Sequence, residues 1–249
     1  AIIVTEDPVR KYCSVNQQSG AAQIDKIDAE SLNLLKIDAL GLRTLSVLQD
    51  ILDQVGWQRE ELINYRLDDK DAFSVLNKEK YAGIFQFEGY ALQSLTRQMQ
   101  IYDFEDIASI TALARPGPLT SGGTTQYIQR RVGSSPIEYL HPMTEEVTKV
   151  TKGVVVYQEQ VMNIARDVGK LSWEDVSQLR KAMSKSYGEE FFDRYWQRFK
   201  VGAEENNIDE DQALKIWKNI NTMGSWAFNR SHAISYGLVS YWCCVLKSK

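Results

Sequence analysis

An aspartate at the end of a short apolar run is the first residue whose type and position suggest chemistry. Asp38 closes the run that begins at Leu34, and Gly41 separates it from a pattern with helical spacing. Carboxylate oxygens bind hard divalent cations such as Mg²⁺, so an aspartate between a strand and a helix could anchor one, or could simply cap the helix. Lys36 would face the same side of a strand as Asp38. It could contact a phosphate, or form an ion pair that orients Asp38.

A second candidate is a group of positive charges in a predicted helix. Lys181 and Lys185 are four residues apart and share one helix face, with Arg180 beside them. Such a face can neutralise a polyphosphate, and charge neutralisation is a main source of catalysis in phosphoryl transfer. The same charges would also suit an ordinary solvated helix surface.

Polar residues also begin the last predicted helix. Asn229, Arg230 and His232 lie where backbone N–H groups favour anions. Tyr236 follows one turn after His232 on the same face. It could stack on a base, because stacking tolerates any base, or it could be a core aromatic residue. No second His or Cys lies at ligand spacing from His232, which argues against a metal there.

A rigid turn follows one further arginine. Arg115 precedes Pro116-Gly117-Pro118, and this turn could present the arginine to a ligand, although arginine in a surface turn is ordinary. Gly117 could supply an unusual φ angle. The two prolines are expected to stop the preceding helix.

The elements that position these residues follow from apolar spacing. Buried strands are predicted at 2–4 and 34–38, with a polar stretch between them. Helices are predicted from Leu42 to Val55, from Asp68 or Asp69 to Leu76, and at 89–98, 104–113, 123–131, 172–183, 187–204, 209–220 and from about 231. The stretch 133–142 is the best internal linker. The predicted fold class is α+β, a small αβ segment followed by a mostly helical region.

Composition limits the class of protein. The chain has 249 residues, 43% hydrophobic and 25% charged, as expected for one or two globular domains. The net charge of −4 requires any nucleic-acid site to be a local basic surface. Three cysteines without pairing or zinc spacing indicate a reducing, cytoplasmic location. No apolar run reaches membrane-spanning length, so no membrane partner is expected.

An ordered set of motifs resembles the family C DNA polymerases, the bacterial replicative DNA polymerase III alpha subunits. The motifs are LKIDALGLRTL at 35–45, GIFQFE at 83–88, FEDI at 104–107, ARPGPL at 114–119, VYQEQVM at 156–162, LRKAM at 179–183 and FNRSH at 228–232. The resemblance covers nearly the whole chain. It implies the last part of the palm at 1–56 and most of the fingers at 57–249.

The resemblance also implies template-directed addition of deoxynucleotides to a primer, with Mg²⁺ held by three aspartates. Two of these would lie upstream of this chain, and the third matches Asp38, with Lys36 near the substrate or primer end. The triphosphate-contacting arginines of the family match Arg180 and Lys181, and lysine lacks the bidentate fork of arginine. The other residues expected at the substrate are Lys185, Arg230, His232, Tyr236, Arg115 and Asn229.

We therefore expect an excised fragment or split gene product of a polymerase, inactive alone. Its expected partners are primer–template DNA, dNTP, the remaining polymerase part (upstream palm and thumb) and other replisome proteins. The alternative is a noncatalytic module that binds nucleotide or DNA, or contacts replisome proteins.

Overall fold

The structure, a computed structural model, describes residues 1–39, 41–185 and 189–249, and of residues 183–185 and 189–192 the backbone only. It divides into two units, Ala1–Asp50 and Ile51–Lys249. Among the described residues, no helix has both the length and the apolar composition that crossing a membrane requires.

The first unit is built on a two-stranded antiparallel sheet. Strand β1 (Ile2–Val4) pairs with β2 (Leu35–Ile37), and both lie where the sequence predicts strands. Helix α1 (Lys26–Ser31) contacts β2. Asp25 caps α1, because its carboxylate accepts a hydrogen bond of 2.8 Å from the backbone N–H of Asp28.

One face of this sheet carries four exposed apolar side chains. Their exposed fractions are 56% for Ile2, 45% for Val4, 59% for Leu35 and 46% for Ile37. Side chains alternate along a strand, so these four share one face and Lys36 points to the other. The prediction of buried strands is wrong for this face, since each of its side chains is about half exposed.

The second unit is mostly helical in its described part. After α2 (Arg43–Val55), which crosses the boundary between the units, its α-helices are α3 (Arg59–Ile63), α4 (Lys70–Asn77), α5 (Tyr90–Gln98), α6 (Phe104–Leu113), α7 (Pro116–Thr120), α8 (Gly123–Val132), α9 (Pro142–Thr148), α10 (Gln158–Asp167), α11 (Trp173–Lys185), α12 (Glu189–Glu205), α13 (Glu210–Gly224) and α14 (Arg230–Ser248). The proline turn ends α6 as predicted, but it also begins α7. A proline in the first helical turn costs no hydrogen bond.

The last helix forms one core of this unit by packing against α4 and α6. Tyr241 is fully buried between the rings of Phe73 and Phe104, at centroid distances of 5.5 and 6.0 Å. Its hydroxyl donates to the carbonyl of Arg66 at 2.8 Å and accepts from the backbone N–H of Asp69 at 3.0 Å. Tyr241 is thus a central residue of this core.

Helices α10 to α13 form a second core, whose buried side chains come from residues 155–227. Helix α12 lies close to the end of α10: a Cβ added to Gly202 would lie 2.0 Å from the carbonyl oxygen of Gly169. The two ends of this segment meet in a parallel backbone bridge between Tyr157 and Phe228. The bridge places the start of α10 beside the start of α14.

Candidate functional site

The only acidic candidate, Asp38, follows β2 in the first unit and is paired with Lys36. The Nζ of Lys36 donates to Oδ1 of Asp38 at 2.6 Å, and the Asp38 side chain is 77% exposed. This hydrogen bond and the lysine charge hold the pKa of Asp38 below its ordinary value. The prediction that Lys36 and Asp38 face the same side is confirmed. Of the two roles considered for Lys36, the structure contains the ion pair with Asp38.

The chemistry of Asp38 suits one magnesium ligand, because it is an exposed, ionised carboxylate. Among the described residues, no group of three or more His, Cys, Asp or Glu side chains is arranged to hold a metal ion. Those residues do not by themselves form a complete magnesium site.

Two of the positive residues of α11 lie on its outer surface. Arg180 and Lys181 are exposed, whereas Leu179 and Ala182 are buried, so the helix turns its charges away from the core. The side chain of Lys185, the third predicted member of this group, lies outside the described residues.

Helix α11 is connected to α10 by only five residues, 168–172, and the two helices are in contact. Val161 of α10 and Leu179 of α11 belong to the same buried cluster in the second core. The exposed Arg180 and Lys181 follow Leu179, so they lie on the surface of a helix that packs on α10.

Asn229 caps the start of α14, and Glu159 binds the same point from α10. The side-chain oxygen of Asn229 accepts a hydrogen bond of 2.8 Å from the backbone N–H of His232. The carboxylate of Glu159 accepts from the Asn229 amide and from the backbone N–H of Arg230, both at 3.0 Å. The expected attraction of an anion to this helix start is therefore satisfied within the chain by Glu159.

The side chain of Arg230 lies between two other elements. Its guanidinium carbon is 5.6 Å from the ring centroid of Tyr157, and its Nη2 is 3.3 and 3.5 Å from the two carboxylate oxygens of Glu105. Its Nε is buried and has no hydrogen-bond partner among the described groups. The Arg230 side chain is thus held by protein groups, although 39% of it is still exposed.

A row of rings follows the outer surface of α14. The rings of His232 and Tyr236 stack at 4.0 Å with an interplanar angle of 22°, which confirms that they share a face. Phe228 adjoins His232 at 5.2 Å, Phe85 adjoins Tyr236 at 5.4 Å, and the guanidinium of Arg115 lies 3.9 Å from the Phe228 centroid. Burial, and then the charge of Arg115, lower the pKa of His232. The partners of the Tyr236 ring in this structure are therefore protein rings.

Gly117 permits a close approach between the proline turn and Trp226. A Cβ added to Gly117 would lie 2.6 Å from the Cβ of Trp226, and one added to Gly123 would lie 2.9 Å from the indole ring. Gly117 has no positive φ, so the expectation of an unusual φ is wrong. Glycine is required there because the indole occupies the space of a side chain. The contact fixes the turn that carries Arg115.

Sequence reasoning missed the buried ion pair at the start of α6. Asp106 is bound by Nε and Nη2 of Arg131, both at 2.6 Å, with side chains only 2% and 15% exposed. The hydroxyl of Tyr127 lies 3.5 Å from the same carboxylate. The spacing of Asp103 and Asp106, which form a capping box, was the available sequence signal. This anchor fixes the helical turn that carries Glu105.

The structure thus brings five of the predicted site residues together around the start of α14. They are Arg115, Asn229, Arg230, His232 and Tyr236. Arg180 and Lys181 of α11 also belong to the second unit, whereas Lys36 and Asp38 belong to the first unit.

Most of this helical region also matches a known protein family. The profile of the bacterial DNA polymerase III alpha subunit finger domain matches residues 44–207. This chain belongs to that family.

The chain has relatives in several bacteria, and these relatives share one name. It is 36% identical over 231 residues to DNA polymerase III subunit alpha of Aquifex aeolicus, covering 92% of this chain and 20% of that protein. The corresponding Mycobacterium tuberculosis protein is 34% identical over 259 residues, which cover 100% of this chain and 22% of that protein. The Staphylococcus aureus protein is 36% identical over 253 residues, which cover 99% of this chain and 23% of that protein. The chain therefore spans about a fifth of the length of these relatives.

Proposed function

We propose that this chain supplies the fingers, and one metal-binding aspartate of the palm, to a DNA-directed DNA polymerase. The polymerase would add deoxynucleotides to a primer 3′ end, as a template directs. Family membership supports the polymerase role. The observation that carries the nucleotide-binding role is the shared contact of α10 with α11 and with the start of α14.

In this proposal the triphosphate is bound by the cationic residues that border α10. Arg180 and Lys181 are exposed on α11, which packs on α10, and Arg230 begins α14, which Glu159 ties to α10. Positive side chains carried on packed helices stabilise the negative charge of the phosphates. His232, two residues after Arg230, contacts the same ligand, and Lys185 is a further candidate.

Asp38 would be one of the magnesium ligands of the complete enzyme. Bound magnesium would activate the primer hydroxyl and neutralise charge on the phosphates. Lys36 orients the Asp38 carboxylate through the 2.6 Å hydrogen bond. Because the described residues supply one such ligand, we expect no polymerase activity from the chain alone.

The binding role is tested by titrating the chain with dATP and Mg²⁺ in a calorimeter. We expect the double variant Arg180→Met, Lys181→Met to bind dATP at least about tenfold more weakly, since two charged contacts are lost. The matched control is Lys215→Met, Lys218→Met, which removes two exposed lysines from α13. Equal losses in the two double variants would show a general charge effect and contradict the proposed site.

The catalytic role is tested in a chimaera. This chain replaces the matched fifth of the Aquifex aeolicus relative, and primer extension is measured with Mg²⁺. We expect activity in the chimaera and its loss in the Asp38→Asn variant, while Asp50→Asn, an exposed aspartate of α2, retains it. Activity that survives Asp38→Asn would refute the metal-binding role.

The alternative is a noncatalytic nucleotide- or DNA-binding, or replisome-interaction, module. The pairing of Asp38 with Lys36 favours it, because a neutralised carboxylate attracts a cation less strongly. The same experiments separate the two: nucleotide binding by the chain together with an inactive chimaera would support the alternative.

A further inference from the structure

Two neighbouring carboxylates in the first turn of α6 hold their arginines in different ways. Asp106 binds Arg131 through two hydrogen bonds of 2.6 Å, and the pair is almost completely buried. Glu105 approaches Arg230 only to 3.3 and 3.5 Å, and these side chains are 26% and 39% exposed. Charge-assisted hydrogen bonds in proteins are typically about 2.7–2.9 Å long. The Glu105–Arg230 contact is thus the looser of two ion pairs that share one helical turn.

Arg230 also has an unsatisfied donor in this arrangement. Its Nε is buried without a partner among the described groups. A buried donor that lacks an acceptor raises the free energy of the conformation that holds it. The guanidinium could therefore gain hydrogen bonds by moving toward a better acceptor.

The backbone of Arg230 is fixed while its side chain rests on weak contacts. Glu159 binds the Arg230 N–H and the Asn229 amide at 3.0 Å, so α14 begins at a defined point. The guanidinium, in contrast, is held by the long contact to Glu105 and by the ring of Tyr157 at 5.6 Å. A side chain movement would thus suffice to change the partner of the guanidinium.

We propose that Glu105 is an internal competitor for Arg230. In the ligand-free chain the Glu105 carboxylate holds the guanidinium, and a phosphate oxygen of the incoming nucleoside triphosphate replaces it. This inference rests on the proposed function, because it requires a nucleotide at the start of α14. A triphosphate carries more charge than one carboxylate and fits the planar guanidinium bidentately, so it wins the exchange.

The environment of Glu105 accommodates the exchange. The Glu105 side chain keeps 26% exposure, so water can solvate it after Arg230 leaves. Tyr157 stays beside it: burial raises the pKa of this tyrosine, and the charge of Glu105 raises it further, so its hydroxyl remains a donor. Asp106 is bound separately by Arg131, so the exchange requires no movement of α6.

The exchange predicts that removing the competitor tightens binding. Calorimetric titration of the chain with Mg²⁺–dATP should give a Kd for Glu105→Gln about two- to fivefold lower than for the native chain, the range expected from a partly exposed ion pair. The Arg230→Gln variant should bind more weakly, and Glu105→Gln should have no further effect in that background. The matched control is Glu146→Gln on α9, which removes the same charge from an exposed pair with Lys149 and should leave the Kd unchanged.

A second readout follows the arginine directly. In NMR spectra of chain labelled with ¹⁵N-arginine, the Arg230 Nε–H signal, assigned with Arg230→Gln, should shift on Glu105→Gln without ligand. Adding Mg²⁺–dATP to the native chain should move it in the same direction.

The outcomes separate the two proposals. If the native chain binds dATP but Glu105→Gln binds equally or more weakly, Glu105 is not a competitor and only the exchange fails. If Arg230→Gln binds as tightly as the native chain, the exchange also fails. If no variant binds dATP and the Nε–H signal does not respond to it, the proposed nucleotide-binding function fails as well.

Discussion

The two units of the chain hold their charged carboxylates differently. In the first unit Asp38 is 77% exposed and is paired with Lys36, two residues before it in strand β2. In the second unit Asp106 is buried, and its partner Arg131 comes from another helix, α8. Asp106 is thus fixed by tertiary structure, whereas Asp38 is held at the surface by a neighbour in sequence.

The largest effect should come from the buried pair. We expect Asp106→Asn to lower the free energy of unfolding by about 3–5 kcal/mol, because it leaves the Arg131 charge buried without its partner. Asp38→Asn, at an exposed position, should leave it unchanged. Urea denaturation followed by circular dichroism measures both variants. Equal effects would remove the contrast between the units.

The next effect concerns two glycines. Gly202→Ala should destabilise the second unit by about 1–3 kcal/mol, since its Cβ would meet the backbone of Gly169. Gly41→Ala in the first unit should be tolerated, because nothing lies within 4 Å of the added Cβ. The same denaturation experiment measures both variants, and an unchanged stability of Gly202→Ala would contradict the close approach of α12 to Gly169.

A smaller effect concerns the titration of His232. Its pKa lies below the ordinary value of 6.5, through burial and then the charge of Arg115. The neutral ring thus contributes stability above pH 6.5, and this contribution is lost as the pH falls through the lowered value. We expect an NMR titration of the ring protons to show this low midpoint, and Arg115→Gln to raise it part of the way. His141→Gln assigns the signal, because the chain has two histidines.

The smallest effect belongs to the first unit. Lys36→Met should raise the pKa of Asp38 toward its ordinary value of 3.8, since it removes the hydrogen bond and the charge that lower it. In the native chain the interaction is present above pH 3.8 and is lost as the pH falls through the lowered pKa. Carboxyl ¹³C chemical shifts measure the change. A pKa unaltered by Lys36→Met would show that the ion pair does not persist in solution.

Local patterns predicted the parts of the fold that depend on neighbours in sequence. Helix α6 occupies the predicted 104–113, and His232 and Tyr236 share a face because they are four residues apart. The boundary between palm and fingers at 56 stays a prediction, as does the placing of a substrate on the predicted site residues.

Tertiary partners were beyond these patterns. Glu105 meets Arg230 across 125 positions, and Glu159 meets Asn229 across 70, so no periodicity of one helix could reveal either pair. Helix α7 was missed because its prolines indicate an end as readily as a beginning.

The bridge between Tyr157 and Phe228 has a consequence for evolution and engineering. The chain enters and leaves helices α10 to α13 at one place, where Gln158 donates to the Phe228 carbonyl and Phe228 donates to that of Val156, both at 2.9 Å. Insertions or deletions in the loops between those points do not change the separation of the two ends, and lengthening a closed loop costs little entropy. Loops within helices α10 to α13 could therefore be lengthened or shortened without moving the starts of α10 and α14 apart.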